Sequence, residues 1–192
     1  ATVMTLKVIF EKETYKILGA QAVGYGGVEK RIDVIATAIF AGLTADKLKD
    51  LELSYAPPYS SAKDPVNMAG FIIENIKNGI VGQFYYEDIS LLQKRDDVTL
   101  LDTRTVYEYM RGHAEGFINI PVDELRERLT ELDKSKPVYV MCQSGLRSYL
   151  ATRILMQNGF DAYNFAGGYR LYGTMYYDEV VSKNAYDCGM EK

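Results

Sequence analysis

The sequence predicts two units in tandem: an α+β module over residues 1–79 and an α/β module with a central parallel sheet over residues 83–180, followed by a tail over residues 181–192. Three features carry this reading. Strand-like runs precede helix-like ones in the first part, near-continuous apolar runs alternate with helical patterns in the second, and Gly79-Ile80-Val81-Gly82 interrupts the chain between them.

In the first unit, Leu6 to Phe10 and Ile17 to Val23 read as strands joined by the polar Glu11-Lys12-Glu13-Thr14, which predicts an antiparallel hairpin. After the turn Gly24-Tyr25-Gly26-Gly27, Ile32, Ile35, Ala36, Ile39 and Phe40 recur on one helix face, and Gly42 is placed to end it. Thr44 is a candidate cap for a short helix through Leu48. Residues Leu51 to Tyr55 alternate like a strand, broken by Pro57-Pro58, and a last helix runs from about Val66 to Asn78 until Gly79 stops it.

In the second unit, strand 98–101 precedes helix 106–110, strand 117–120 precedes helix 122–132, and strand 137–141 precedes helix 149–157. Strand 162–165 then leads into Gly167-Gly168. Apolar strands separated by helices indicate a parallel sheet covered on both faces, with its site at the carboxyl ends of the strands.

A net charge of −4, with no basic run beyond Lys94-Arg95, offers no surface for nucleic acid or anionic lipid. No apolar stretch approaches the roughly 18 to 20 residues of a membrane span, and the first residues do not resemble a signal peptide, so a cytoplasmic protein is expected. Two cysteines, Cys142 and Cys188, and one histidine are too few for a disulfide framework or an ordinary structural zinc site, so reduced thiols are expected.

The most informative segment is Cys142-Gln143-Ser144-Gly145-Leu146-Arg147-Ser148, which stands where a strand turns into a helix. Backbone N–H groups in such a turn point inward, the helix N-terminus carries partial positive charge, and Arg147 adds a full one, so the thiolate is favoured and Cys142 is the candidate nucleophile. Ser144 and Ser148 can add hydroxyl hydrogen bonds to the sulfur or the loop. Arg147 is expected either to hold an anionic donor or to steady the loop. Asp102 and Arg104 are expected to form a buried ion pair that holds loops together. Cys188 is read as a tail cysteine without a role, although it could resolve a covalent intermediate on Cys142.

Five motifs in order, Leu101-Asp102-Thr103-Arg104, residues Gly112 to Pro121, Val140-Met141-Cys142 with Gly145 and Arg147-Ser148, Asn158-Gly159-Phe160, and Gly167-Gly168-Tyr169, resemble a single-domain rhodanese. Rhodanese sulfurtransferases carry Cys-x4-Arg and their phosphatase relatives Cys-x5-Arg. Four residues separate Cys142 from Arg147, so the resemblance implies sulfur transfer through a Cys142 persulfide, with a sulfane-sulfur donor and a thiol acceptor as partners. His113 looks like the loop histidine of that family, which is mainly structural. Tyr169 replaces the family's usual tryptophan, and the tyrosines from Tyr169 to Tyr177 suggest a docking surface.

Residues 16–24, Lys30-Arg31-Ile32-Asp33, residues 38–44 and, above all, Tyr55 to Asn67 resemble the dimerisation domain of flavin-dependent pyridine nucleotide-disulfide oxidoreductases, in the branch of coenzyme A-disulfide reductase, NADH oxidase and persulfide reductase. Some members carry a rhodanese domain after it. The resemblance implies a dimerisation module truncated at its N-terminus, a homodimeric parent with upstream FAD and NAD domains, and FAD, NADH and coenzyme A as the parent's cofactors, none bound by this chain alone. Tyr59, or otherwise Tyr55, would approach substrate in the partner subunit. Gly24, Gly26 and Gly27 have the wrong spacing for a dinucleotide fingerprint and read as a turn. The rival readings are a dimerisation and thiol- or partner-binding module without turnover, and a cysteine-based phosphatase or arsenate reductase.

Overall fold

The computed structural model describes residues 3–57 and 60–176, and the chain divides into two compact units between Gly79 and Ile80. Tyr59, Cys188 and the tail lie outside the described residues.

In the first unit, β1 (Met4–Phe10) and β2 (Ile17–Gly24) form the expected antiparallel hairpin, with Leu6 opposite Ala22 and Val8 opposite Ala20. Leu6, Val8 and Phe10 turn one face of β1 toward a core of Ile17, Ile35, Ala38, Leu48, Val66 and Ile73. The helices α1 (Val28–Phe40) and α2 (Pro65–Lys77) supply the helical part of that core. Between them a 3-10 segment spans Ala45–Asp50.

Asp64 holds these parts together. Its Oδ1 accepts the Val66 N–H at the start of α2 (3.1 Å), while its carboxylate takes two hydrogen bonds from the buried Arg31 on α1, at 2.7 and 3.3 Å. Asn67 completes the capping box and donates its side-chain amide to the carbonyls of Leu48 and Leu51.

Residues 51–55 are a correction to the sequence reading, since they form no strand. The alternation itself is real: Leu51 and Leu53 are half-buried and Glu52 and Ser54 exposed. A strand also needs a neighbouring backbone, and here the Leu51 carbonyl is taken by the Asn67 amide and by the Leu53 N–H instead.

The second unit is a five-stranded, wholly parallel sheet in the order β3-β7-β6-β4-β5, formed by β3 (Gly82–Phe84), β4 (Thr99–Asp102), β5 (Ile118–Asn119), β6 (Val138–Met141) and β7 (Ala162–Phe165). The helices α3 (Tyr86–Leu92), α4 (Val106–Met110), α5 (Leu146–Gln157) and α6 (Gly168–Met175) connect and flank it. Alternate residues of the central strands face two separate cores. Leu101, Val138 and Val140 meet Ala151, Ile154 and Leu155 of α5, while Leu100 and Met141 meet Ile89, Leu92, Phe165 and Tyr172.

Two further corrections concern the connections. Residues 122–132, expected as a helix, form successive turns and a 3-10 segment at Leu129–Glu131. Leu125 and Leu132 do reach the core at helical spacing, but the Val122 N–H is spent on the Thr103 carbonyl and the bonds that follow span mostly three residues. Apolar spacing reports which side faces the core, and a tighter coil with a longer rise satisfies the same spacing. Of the tyrosines read as a docking surface, Tyr177 lies outside the described residues and the other three pack inward. Tyr169, Tyr172 and Tyr176 stack in series, with ring centroids 5.7 and 4.7 Å apart, against the core that contains Phe165.

The capping arrangement in the first unit predicts that Asp64→Ala will lower its stability by about 3 to 5 kcal/mol, because the change uncaps α2 and leaves the Arg31 guanidinium buried without its partner. Lys47→Ala, at the exposed pair with Asp50, should change stability little. Urea unfolding of the two variants checks the contrast.

Candidate active site

The site forms at the carboxyl ends of β4 and β6. The chain leaves β6 at Met141, turns through residues 142–145 and enters α5 at Leu146, earlier than the Tyr149 start expected from apolar spacing. Gly145 is the residue before α5 and has φ +107°, a conformation that L side chains rarely adopt. That conformation places Leu146, Arg147 and Ser148 in the first turn of the helix. Ser148 is thereby fully buried beside the sulfur, while Leu146 and Ser144 remain exposed.

Cys142 is buried, with 1% of its surface exposed. Its Sγ receives the Gly145 N–H at 3.1 Å and the Ser148 hydroxyl at 3.2 Å; Ser148 Oγ also lies 3.2 Å from the Gly145 carbonyl. Two donors therefore converge on one sulfur in a site largely removed from water, an arrangement suited to negative charge on that atom. Of the two serines read from the sequence, Ser148 makes the contact.

The loop is shaped from behind by the start of α6. Tyr169 N–H bonds the Cys142 carbonyl at 2.7 Å and Arg170 N–H bonds the Gln143 carbonyl at 3.1 Å. Gly168 sits directly against the loop: a Cβ there would lie 2.6 to 2.7 Å from Ser144 N and from the Gln143 carbonyl group, and its φ is +67°. From the side of β4, Thr103 donates both its N–H (2.8 Å) and its hydroxyl (3.0 Å) to the Met141 carbonyl.

Two arginines border the loop, and each meets a carboxylate. Arg104 is 2% exposed and pairs with Asp102 at 2.7 Å, as the sequence suggested; it also donates to the Gly112 carbonyl and lies 3.8 Å above the Tyr169 ring. Its Nη1 comes within 3.5 Å of Gln143 Oε1. Arg147 points both terminal nitrogens at Glu108 on α4, each at 2.7 Å. That guanidinium holds the Glu108 carboxyl well down, to about 2, and the carboxylate in turn raises Arg147.

Sequence reasoning missed Glu108. The available signal was Thr105-x-x-Glu108, a capping-box pattern that the structure bears out, with Glu108 accepting the Thr105 N–H at 3.0 Å. Nothing in the sequence tied that carboxylate to an arginine 39 residues away. His113 donates from Nδ1 to the Tyr109 carbonyl (3.0 Å) and stacks on the Tyr109 ring with centroids 3.9 Å apart, at the exposed side of its loop. Tyr55 belongs to the first unit and is 53% exposed.

Gly168→Ala should abolish the reactivity of Cys142 toward a thiol-specific reagent and lower the melting temperature, because the new methyl collides with loop backbone; Gly173→Ala, in open space on the same helix, should stabilise by about 0.5 to 1 kcal/mol. The Glu108–Arg147 pair should be sensitive only to strong acid. The folded carboxyl lies below its unfolded value of 4.5, so its stabilising contribution is complete above about 4.5 and is lost as pH falls through about 2. The stability difference between the unmodified chain and Glu108→Gln, measured against pH, should shrink in that window and stay flat above it.

Comparison with known proteins agrees with this architecture. Residues 86–174 match the rhodanese-like domain family, and residues 1–65 match the pyridine nucleotide-disulphide oxidoreductase dimerisation domain. Coenzyme A disulfide reductases of Staphylococcus epidermidis and Staphylococcus haemolyticus are 47% and 50% identical over 66 residues, which is 34% of this chain and 15% of theirs. The crystal structure of reduced Bacillus anthracis CoADR-RHD superposes with a TM-score of 0.89 at 49% identity, covering 93% of this chain and 32% of that one. The structure of a NAD-dependent persulfide reductase from A. fulgidus gives a TM-score of 0.73 at 43% identity, over 86% of this chain and 29% of that one. The chain thus spans about a third of those two structures and a smaller share of the curated relatives. With its hairpin-and-helix first unit and its cysteine loop on a parallel sheet, the chain is a dimerisation domain of the pyridine nucleotide-disulphide oxidoreductase type followed by a rhodanese-like domain.

Proposed function

We propose that Cys142 is the nucleophile of a rhodanese-type sulfurtransferase module, acting in the cytoplasm within a longer FAD- and NADH-dependent coenzyme A-disulfide, persulfide or polysulfide reductase. The observation that carries this reading is the convergence of the Gly145 N–H and the Ser148 hydroxyl on Cys142 Sγ inside a Cys-x4-Arg loop.

In the first half-reaction the Cys142 thiolate attacks a sulfane sulfur, a bond forms between the two sulfurs, and the donor's own bond to that sulfur breaks as the leaving group departs with the electron pair. In the second, a thiolate or cyanide attacks the outer sulfur of the Cys142 persulfide, takes it, and returns Cys142 to the thiolate. Gly145 N–H and Ser148 O–H stabilise negative charge on Cys142 whenever it is the free thiolate, and Arg147 orders the turn that carries them. Gln143, Ser144 and Leu146 form the rim through which a donor reaches the sulfur.

The flavin, nicotinamide and coenzyme A of the longer protein do not fit the glycine turn of this chain. The position above Gly27 is filled by the Arg31 guanidinium, which donates to the Gly27 carbonyl and is paired with Asp64. The first unit would pair two subunits, with Tyr59 or Tyr55 approaching substrate sulfur in the partner, and the rhodanese unit would deliver sulfane sulfur for reduction.

The test is intact-protein mass after incubation with thiosulfate or coenzyme A persulfide, before and after cyanide. The mass of one added sulfur, removed by cyanide with release of thiocyanate and absent in Cys142→Ser, is expected. Failure of both donors to add sulfur would leave a binding module without turnover, and phosphate ester hydrolysis would indicate phosphatase chemistry instead.

A further inference from the structure

Glu108 has no part in the sulfur transfer just described, yet it sets the charge beside the loop. Its carboxylate takes both terminal nitrogens of Arg147 at 2.7 Å, and the same Oε2 accepts the N–H and the hydroxyl of Thr105, at 3.0 and 2.8 Å. The carboxylate is thus fixed from its own helix and cannot swing away without uncapping α4. The other arginine whose side chain reaches the loop, Arg104, is already matched by the buried Asp102. Arg170, whose backbone touches the loop, is solvent exposed, where water and salt screen the attraction of a guanidinium. Both partly or fully buried guanidinium groups beside Cys142 are therefore neutralised before any donor arrives.

We infer that Glu108 is a donor-selecting positioning residue: by holding Arg147 in a matched pair it sets the loop against sulfane donors whose leaving group is a dianion and in favour of organic persulfides. The inference rests on the reading of Cys142 as a sulfur carrier and names its donor class. With thiosulfate, the Cys142 thiolate bonds to the outer sulfur and sulfite departs with the electron pair, carrying two negative charges that call for a cation with net charge to spare. With an alkyl persulfide, the thiolate bonds to the terminal sulfur, the S–S bond of the donor breaks, and a singly charged alkyl thiolate departs and is protonated by water. A paired Arg147 presents little net charge to either, which penalises the first donor more.

Glu108→Gln separates the two duties of the residue. Glutamine serves at this position of a capping box, so its carbonyl can keep the Thr105 N–H, while its amide then opposes Arg147 donor to donor and releases the guanidinium. The experiment measures second-order rates of sulfur loading on the full 192-residue chain by intact mass, with thiosulfate and with 2-hydroxyethyl persulfide. The unmodified chain should prefer the persulfide. Glu108→Gln should raise the ratio of thiosulfate to persulfide rates about tenfold, the scale of one charge-assisted hydrogen bond, and Glu108→Gln with Arg147→Gln should return it toward its starting value. Thr105→Val, which disturbs the cap but keeps the pair, should leave the ratio unchanged. If Glu108→Gln does not fold, Glu108→Met makes the same comparison, keeping the side-chain length and removing the charge. An unchanged ratio in a folded variant, with both donors slowed alike, would overturn the inference and leave the sulfur-carrier reading standing; no loading of the unmodified chain by either donor would overturn both.

Discussion

Two backbone hydrogen bonds, from Tyr169 N–H to the Cys142 carbonyl and from Arg170 N–H to the Gln143 carbonyl, fix the shape of everything around the sulfur. A trans peptide places its C=O and N–H on opposite sides, so drawing two successive carbonyls toward α6 turns the amides that follow them away from it. The glycine at 168 is what lets α6 come close enough to do this, and the glycine at 145 is what lets the chain enter α5 at once. Thr103 supplies the matching restraint from β4 by holding the Met141 carbonyl twice. The loop is thus set by three neighbouring segments of a parallel sheet, whose carboxyl ends all open on the same side.

Electrostatics at the site are arranged by pairing more than by accumulation. Arg104 is enclosed by Asp102, the Gly112 carbonyl and the Tyr169 ring, and its work is to knit the end of β4 to the neighbouring loops. Asn119 adds to that stitching by donating to the carbonyls of both Asp102 and Arg104. Arg147 binds the first turn of α5 to the first turn of α4 through Glu108. A buried or half-buried guanidinium without such a partner would destabilise its surroundings, so these carboxylates are required by the fold as well as by any chemistry. Close to the sulfur, the groups in direct contact are a neutral amide and a neutral hydroxyl.

The first unit uses the same device for a different end. Arg31 and Asp64 join α1 to the start of α2, and Asn67 ties that start to the 3-10 segment and to residue 51. The polar cluster holds Leu51, where the chain leaves the 3-10 segment, and Asp64, where it enters α2. Tyr55, on the connection between them, stands half in solvent.

Much of this was legible in the sequence, for local reasons. The hairpin, α1, α2 and the central strands announce themselves by spacing, and Cys142, Gly145, Arg147 and Ser148 are marked by a loop motif at the end of an apolar run. The coil at 122–132 and the extended stretch at 51–55 were misjudged because apolar spacing records which side faces the core and is silent on where each backbone N–H finds its acceptor. Tyr169, Tyr172 and Tyr176 differ from the expected docking surface for a related reason: a stripe of aromatics looks the same in sequence whether it meets solvent or its own core. By itself, then, the chain determined two units, a parallel sheet and a nucleophile-bearing turn, since these rest on short-range periodicity and turn chemistry. Only the tertiary structure decided that Ser148 rather than Ser144 touches the sulfur, that α6 braces the loop, and that Glu108 holds Arg147, because each is a meeting of segments brought together by the packing of the sheet.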